Sequence, residues 1–188
     1  MILEDFARST PEALNPLGGT LLLSISDEQK RMLHRYGNVI CLDATYKVNK
    51  WGLAFFMIAV IDEHRQAFPC AYFIVQHEKA ESVAEALAYL QHLVPGWKPT
   101  AIITDKDDAE INACKTIFPT ATMILCEFHA KQAWLRWLRT GANGVAKCHQ
   151  TKIYSLLADI LKSTSASIAC TKVSIYICCR EFSTVEKN

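Results

Sequence analysis

The apolar residues in the first half of the chain fall into short continuous runs, a pattern that is typical of buried β-strands. Three such runs follow one another, at residues 39–43, 53–61 and 68–75. The short segment Asp62–Gln66 joins the last two runs, and a connection of this length links antiparallel neighbours. The pattern therefore predicts three consecutive antiparallel strands.

Beyond the third strand, apolar residues recur three and four positions apart, which predicts helices. The first helix runs from about Lys79 to Leu93 and ends at Pro95-Gly96. Two strand–helix pairs follow, with strands at 101–104 and 122–126 and helices at 107–118 and 127–139. Parallel returns need such crossovers, so the predicted fold class is α/β: a mixed sheet of three antiparallel strands followed by βαβα, flanked by helices.

Local signals divide the chain into three regions. Residues 1–25 are predicted to be a linker or the end of a preceding region. The sheet domain is predicted over 26–140, beginning with a helix through His34 that Ser26 and Gln29 start as a capping box. Residues 141–188 are expected to form a helical extension, with a helix over 150–162, and an irregular tail from Ser163 that is either a strand of a longer parent or a truncated end.

Charge is balanced in total but not along the chain. The 20 Lys and Arg residues against 19 Asp and Glu residues give a net charge of +1, which excludes a histone-like or polybasic protein. Met1–Ala130 carries 11 basic and 16 acidic residues, whereas Lys131–Asn188 carries 9 basic and 3 acidic residues. Such an asymmetry can mark a segment that faces nucleic acid.

No membrane span or signal peptide is predicted. The longest apolar run, Leu53–Ile61, is far shorter than the roughly 20 residues that a spanning helix needs. The apolar patch Leu21–Leu23 lacks the basic leader of a signal peptide. The eight cysteines form no disulfide framework, so we expect mostly reduced thiols.

Two aspartates stand where predicted strands end. Asp43 ends the strand at 39–43, and Asp105 follows the strand at 101–104. If these strands are parallel neighbours, both carboxylates lie at the carboxyl edge of the sheet and can bind Mg²⁺ or Mn²⁺. The alternatives are that Asp43 forms a turn, and that Asp105 caps the next helix with Asp107 and Asp108 in its first turn.

Cys126 and His129 lie three positions apart at a strand-to-helix junction, which can supply half of a zinc site. A closed zinc centre needs four ligands, and the other adjacent pair, Cys148-His149, lacks the usual spacing. The alternatives are a buried cysteine with a first-turn histidine, or a Cys–His nucleophilic pair with no evident orienting partner.

The predicted helix at 127–139 interleaves basic and aromatic residues. Its basic residues are expected to face solvent or DNA phosphates: Lys131, Arg136 and Arg139. The core face of this helix is expected to consist of Phe128, Leu135 and Leu138. Trp134 and Trp137 are expected to pack rather than to stack on bases.

Three motifs, taken in order, resemble one family. They are Val39-Ile40-Cys41-Leu42-Asp43-Ala44-Thr45-Tyr46-Lys47, Ile103-Thr104-Asp105, and Leu125-Cys126-Glu127-Phe128-His129 followed by Ala133-Trp134. Over about residues 33–139 the chain resembles the transposase domain of Mutator-like elements, the MULE family. The resemblance implies an RNase H-like fold for 26–140 and a DDE site that uses two divalent ions, Mg²⁺ or Mn²⁺, to cut DNA and join strands.

The resemblance also implies roles for individual residues. Asp43 matches the first catalytic, metal-binding aspartate, Asp105 matches the second, and Cys126 with His129 matches the C-x-x-H signature beside them. The implied partner is DNA, at transposon ends or at the target, and the implied location is the nucleus. An oligomer is possible.

The chain departs from the family pattern at the third acidic residue. The family's glutamate lies beyond a helical insertion after the C-x-x-H signature, and here only Glu181 and Glu186 remain in the tail, so the third carboxylate is unassigned. We therefore expect a transposase-derived domain that is incomplete in this chain, and its catalytic activity is left open. The alternatives are a domesticated DNA- or protein-binding module without catalysis, and an unrelated RNase H-like nuclease.

Overall fold

Six strands form one mixed sheet in the first of the two units into which the chain divides, residues 1–126. The computed structural model describes residues 22–45 and 53–165 of the whole chain. The strands are β1 (Leu22–Ser24), β2 (Val39–Thr45), β3 (Ala54–Ile61), β4 (Ala67–Val75), β5 (Ala101–Thr104) and β6 (Thr122–Leu125). The helices of this unit are α1 (Asp27–Tyr36), α2 (Ala80–Leu93) and α3 (Asp108–Ile117).

The strand order across the sheet is β1-β4-β3-β2-β5-β6. The pairs β1–β4, β4–β3 and β3–β2 are antiparallel, whereas β5 is parallel to β2 and β6 is parallel to β5. The pairing follows from the connections, because Asp62–Gln66 is a tight turn while α2 and α3 carry the chain back for parallel returns. The predicted α/β class with a mixed sheet is confirmed.

The edge strand β1 is an element that the apolar pattern does not predict, because three residues are too few to show a period. Leu22, Leu23 and Ser24 are paired with Ile74, Phe73 and Tyr72 of β4. These residues lie within the range 1–25 that we expected to be a linker, so 22–24 belong to the sheet. The domain boundaries at 25 and 140 stay predictions.

The core of this unit comes from alternate strand positions and from one face of α2. The rings of Phe56 and Phe73 stack on neighbouring strands with their centroids 4.8 Å apart. The other fully buried side chains of the core include Ile40, Leu42, Ile58, Val60, Val75, Val83, Leu87, Leu90 and Ile102. Both β2 and β5 are interior strands of the sheet, each with a paired strand on either side; β2 carries Asp43, and Asp105 directly follows β5.

A close contact lies between the end of α1 and the start of β2. The indole N–H of Trp97 donates to the carbonyl oxygen of Gly37 over 3.0 Å. A Cβ at Gly37 would collide with the Leu33 carbonyl and with the Trp97 ring, so only glycine fits. At the other end of α1, the predicted capping box is confirmed: Ser26 and Gln29 exchange hydrogen bonds between side chain and backbone N–H.

The second unit, residues 127–188, is described as far as Ser165. It contains α4 (Glu127–Arg139), a 3₁₀ turn (Gly141–Asn143) and α5 (Lys147–Leu161), which begins three residues before the position that we expected. The predicted irregular tail lies outside the described residues from 166 onward. Within 22–45 and 53–165, no helix is both long and apolar enough to cross a membrane.

Candidate metal centre

The two aspartates that the sequence singled out lie on neighbouring parallel strands. Cys41 of β2 is paired with Ile103 of β5. Asp43 and Asp105 each lie two positions further along, so they stand at the same level of the sheet. The condition for a shared site, that the two strands are parallel neighbours, is therefore met.

Asp43 lies inside β2 rather than at its end. The pairing of β2 with β3 continues as far as Thr45, and Asp43 stands opposite Met57 in this ladder. The expectation that the strand ends at Asp43 is wrong, and so is the alternative that Asp43 forms a turn. The physical reason is the length of β3, which offers partners beyond Asp43 that the apolar run of β2 alone does not reveal.

The N-terminal cap of α3 is Asp107, not Asp105. Oδ1 of Asp107 accepts hydrogen bonds from the backbone N–H groups of Ala109 (2.9 Å) and Glu110 (3.0 Å). The capping alternative for Asp105 is therefore wrong. Oδ1 of Asp105 is buried and has no hydrogen-bond partner among the described residues. A buried carboxylate oxygen without a donor costs free energy, so this atom is a natural cation ligand.

Glu110 is an acidic core residue that the sequence analysis missed. It is fully buried, its Oε2 accepts a hydrogen bond from the Thr104 hydroxyl, and its Oε1 has no hydrogen-bond partner within the described part of the chain. Burial raises the pKa of Glu110 to about 8, against the lowering effect of the Thr104 hydrogen bond. The negative charges of Asp105, Asp107 and Asp43 add to the rise, so these carboxylates lie near Glu110.

Helical spacing is the signal that could have revealed Glu110. It stands three, four and seven positions before Ala113, Cys114 and Ile117, and the first two of these are buried. A glutamate at the head of an apolar stripe must enter the core with the stripe. Glutamate is almost never fully buried without a partner, so such a position indicates a paired or functional group.

Glu110 also belongs to a group of carboxylates that spans from the surface to the core. Glu78, Asp107 and Glu110 each offer one oxygen, and these oxygens all lie within 4.8 Å of one another. Glu78 is exposed, Asp107 is half-buried and Glu110 is buried. The first unit thus presents two acidic arrangements, the Asp43–Asp105 pair and this group of three.

Cys126 is the residue that follows β6 at the same end of the sheet. Its backbone N–H donates to the carbonyl oxygen of Thr104 over 2.7 Å, which extends the ladder between β5 and β6. Burial raises the pKa of the Cys41 thiol, with smaller contributions from Cys126 and Asp43. His129 is half-buried in the first turn of α4, in the second unit. The zinc and nucleophile alternatives for Cys126 and His129 stay predictions.

A comparison with protein families now adds to this geometry. The family model described as the MULE transposase domain matches residues 39–133, about half of the chain. The chain belongs to the MULE transposase family. The resemblance that the motifs indicated is confirmed, and the match includes Asp43, Asp105, Cys126 and His129. None of the curated proteins compared with the chain matches it.

The MULE match ends within α4, whose basic side chains differ in their surroundings. Arg136 and Arg139 are exposed, and Arg136 donates a hydrogen bond to the Gln132 side chain. Lys131 forms an ion pair with Glu127 one turn earlier, and this pair lowers the pKa of Glu127 and raises that of Lys131. Of the three predicted DNA contacts, Arg136 and Arg139 are thus the more available.

Two aromatic residues of α4 lie at the surface, contrary to our prediction that they pack. Phe128 is 65% exposed and Trp137 is 56% exposed, whereas Leu138 is buried. The inward stripe passes through Lys131 and Trp134, both half-buried, and reaches Leu138. The carbon chain of Lys131 therefore takes the place on this stripe that we assigned to Phe128.

Proposed function

We propose that this MULE domain is a transposase-derived core in which Asp43 and Asp105 bind Mg²⁺ or Mn²⁺ for DNA cleavage and strand transfer. The observation that carries the proposal is the parallel pairing of β2 with β5, which puts the two aspartates at the same level of adjacent strands. An RNase H-like arrangement is part of the proposal. It is supported by the order of three antiparallel strands followed by parallel β5 and β6.

The donor chemistry at this edge of the sheet suits a hard divalent cation. Two carboxylates at one edge repel each other unless a positive charge lies between them. The buried Oδ1 of Asp105 lacks a donor among the described residues, and a cation would satisfy it. Mg²⁺ and Mn²⁺ prefer oxygen ligands, and when bound they supply Lewis acidity for attack on a phosphodiester.

The chain's own contribution is to hold both carboxylates in place. Asp43 lies in a strand that is paired with β3 on one side and β5 on the other. Asp105 follows β5 directly, and the Asp107 cap fixes the turn two residues later. Ligands that are already ordered lose little conformational entropy when a metal or a phosphate binds, which favours a precise site.

Strand cleavage and joining of supercoiled DNA in the presence of Mn²⁺ test the proposal, together with calorimetric Mn²⁺ titration. We expect Asp43→Asn and Asp105→Asn each to lower cleavage by about a hundredfold or more, since a metal contributes several kcal/mol to such a reaction. The exposed Asp108→Asn is the matched control. Mn²⁺ binding and cleavage that stay unchanged in both variants would contradict the proposal.

A domesticated DNA-binding module without catalysis is the second candidate. The third carboxylate of the family pattern has no assigned counterpart in this chain. Between residues 130 and 165 the chain has one acidic residue, Asp159, and Glu181 and Glu186 lie outside the described residues. From Glu127 to Ser165 there are six basic and two acidic side chains, which favours phosphate binding. DNA binding that persists in EDTA, without cleavage under any divalent cation, would favour this candidate over the enzyme.

Both candidates act on DNA, so we propose DNA as the partner and the nucleus as the location. The family membership supports this, because transposition takes place on chromosomal DNA. Fluorescence microscopy of the tagged full chain tests the location, and exclusion of the tagged chain from the nucleus would refute it.

A further inference from the structure

We propose that Glu78, Asp107 and Glu110 form a second site for a hard divalent cation, distinct from the Asp43–Asp105 pair. The three residues come from different parts of the first unit. Glu78 lies in the connection between β4 and α2, Asp107 caps α3, and Glu110 lies on the inward face of α3. Their ligand oxygens converge to within 4.8 Å of one another. The inference does not depend on strand transfer being the function.

The buried residue Glu110 distinguishes this group from a cluster of surface carboxylates. Glu110 is fully buried, and its Oε1 has no hydrogen-bond partner among the residues that the structure describes. A carboxyl group in such a place needs a proton or a cation, because an unneutralised charge in the core is very costly. Thr104 satisfies only Oε2.

The other two carboxylates lead from Glu110 to the surface. Asp107 uses Oδ1 to cap α3, which leaves its Oδ2 for a ligand. Glu78 is exposed, so an ion can enter from solvent and keep water molecules on its outer side. Oxygen ligands from three carboxylates with water in the remaining positions are the coordination that Ca²⁺, Mn²⁺ and Mg²⁺ accept.

The negative charge around the group suits a divalent cation, which brings two positive charges where a proton brings one. The carboxylates of Asp105 and Asp43 add to the negative field at Glu110. A single proton neutralises only one of the three carboxylates of the group. A divalent cation at this point would tie the β4–α2 connection to the start of α3, and hence would steady the turn that carries Asp105.

Mn²⁺ binding, counted by electron paramagnetic resonance and calorimetry, tests this inference. The background is the Asp43→Asn/Asp105→Asn chain, freed of metal with EDTA, so that the proposed catalytic pair is removed. We expect one Mn²⁺ per chain to remain bound in this background. Adding Glu78→Gln should weaken that binding by about tenfold or more, because affinity for hard cations depends on the number of charged ligands.

Matched variants distinguish the loss of a metal ligand from a general loss of negative charge. Glu81→Gln removes an exposed carboxylate three residues from Glu78, and Asp108→Asn removes one next to Asp107, so both should leave the affinity unchanged. Asp107→Asn retains the capping oxygen and should still weaken binding. Glu78 is exposed, so its replacement removes a ligand without disturbing the core.

Two results would overturn the inference. One is a background chain that takes up no Mn²⁺; the other is a bound Mn²⁺ whose affinity ignores Glu78→Gln and Asp107→Asn. The proposed function fails separately, when Asp43→Asn/Asp105→Asn removes no metal from the wild-type chain. Each of the two proposals can therefore be refuted without refuting the other.

Discussion

The replacement Glu110→Gln gives a stability prediction whose size follows from the structure. Glutamine keeps the shape of the side chain and can still accept the Thr104 hydrogen bond, but it carries no charge. The Glu110 carboxyl has a pKa of about 8 in the folded chain, against 4.5 as its ordinary value. A proton is therefore bound more tightly by the folded chain than by the unfolded chain.

The sign of the pH dependence follows directly. The stability associated with the protonated carboxyl is fully present below about pH 4.5 and is lost as the pH rises through about 8. Each pKa unit corresponds to about 1.4 kcal/mol, so the total loss is of the order of 5 kcal/mol. We expect Glu110→Gln to match the wild type near pH 5 and to exceed its free energy of unfolding by up to about 5 kcal/mol at pH 9.

Urea denaturation in EDTA at pH 5, 7 and 9, followed by tryptophan fluorescence, measures this difference. EDTA removes cations that would neutralise Glu110 in place of a proton. Asp108→Asn, an exposed carboxylate on the same helix, is the control and should follow the wild-type pH profile. Equal slopes of unfolding free energy against pH in the wild type and Glu110→Gln would refute the reasoning.

The remaining predictions concern packing and DNA binding. Gly37→Ala should cost about 1–3 kcal/mol of unfolding free energy, because a Cβ there meets a backbone carbonyl and an indole, whereas Gly141→Ala meets nothing within 4 Å; equal melting temperatures for the two variants would contradict this. Arg136→Gln/Arg139→Gln should reduce the slope of log affinity for duplex DNA against log salt by about 2, because two phosphate contacts are lost. The control Arg31→Gln, which also removes an exposed arginine, should leave the slope unchanged. A slope unchanged by the double variant would show that these arginines do not touch DNA.

Much of the sheet could be predicted because its signals are local. The apolar runs of β3 and β4 and the tight turn between them required antiparallel pairing, and the capping box placed α1. The edge strand β1 escaped because its three residues have no period of their own. Its register comes from β4, a partner about fifty residues away in the sequence.

Prediction of the candidate site depended on the pairing of the strands that carry it. The parallel pairing of β2 and β5 was a stated condition for bringing Asp43 and Asp105 together, and the structure meets it. Glu110 was missed because an acidic residue in the first turn of a helix is ordinarily exposed, and this expectation hid its helical spacing to the buried Ala113 and Cys114. The burial of Phe128 was misjudged because a shift of one position in helical phase moves a side chain from core to solvent.

The central claim is that Asp43 and Asp105 together bind a divalent metal ion, and anomalous diffraction from crystals grown with MnCl₂ tests it most directly. The account predicts an anomalous peak within about 2.5 Å of a carboxylate oxygen of each aspartate. Crystals that contain Mn²⁺ elsewhere and none between Asp43 and Asp105 would contradict it.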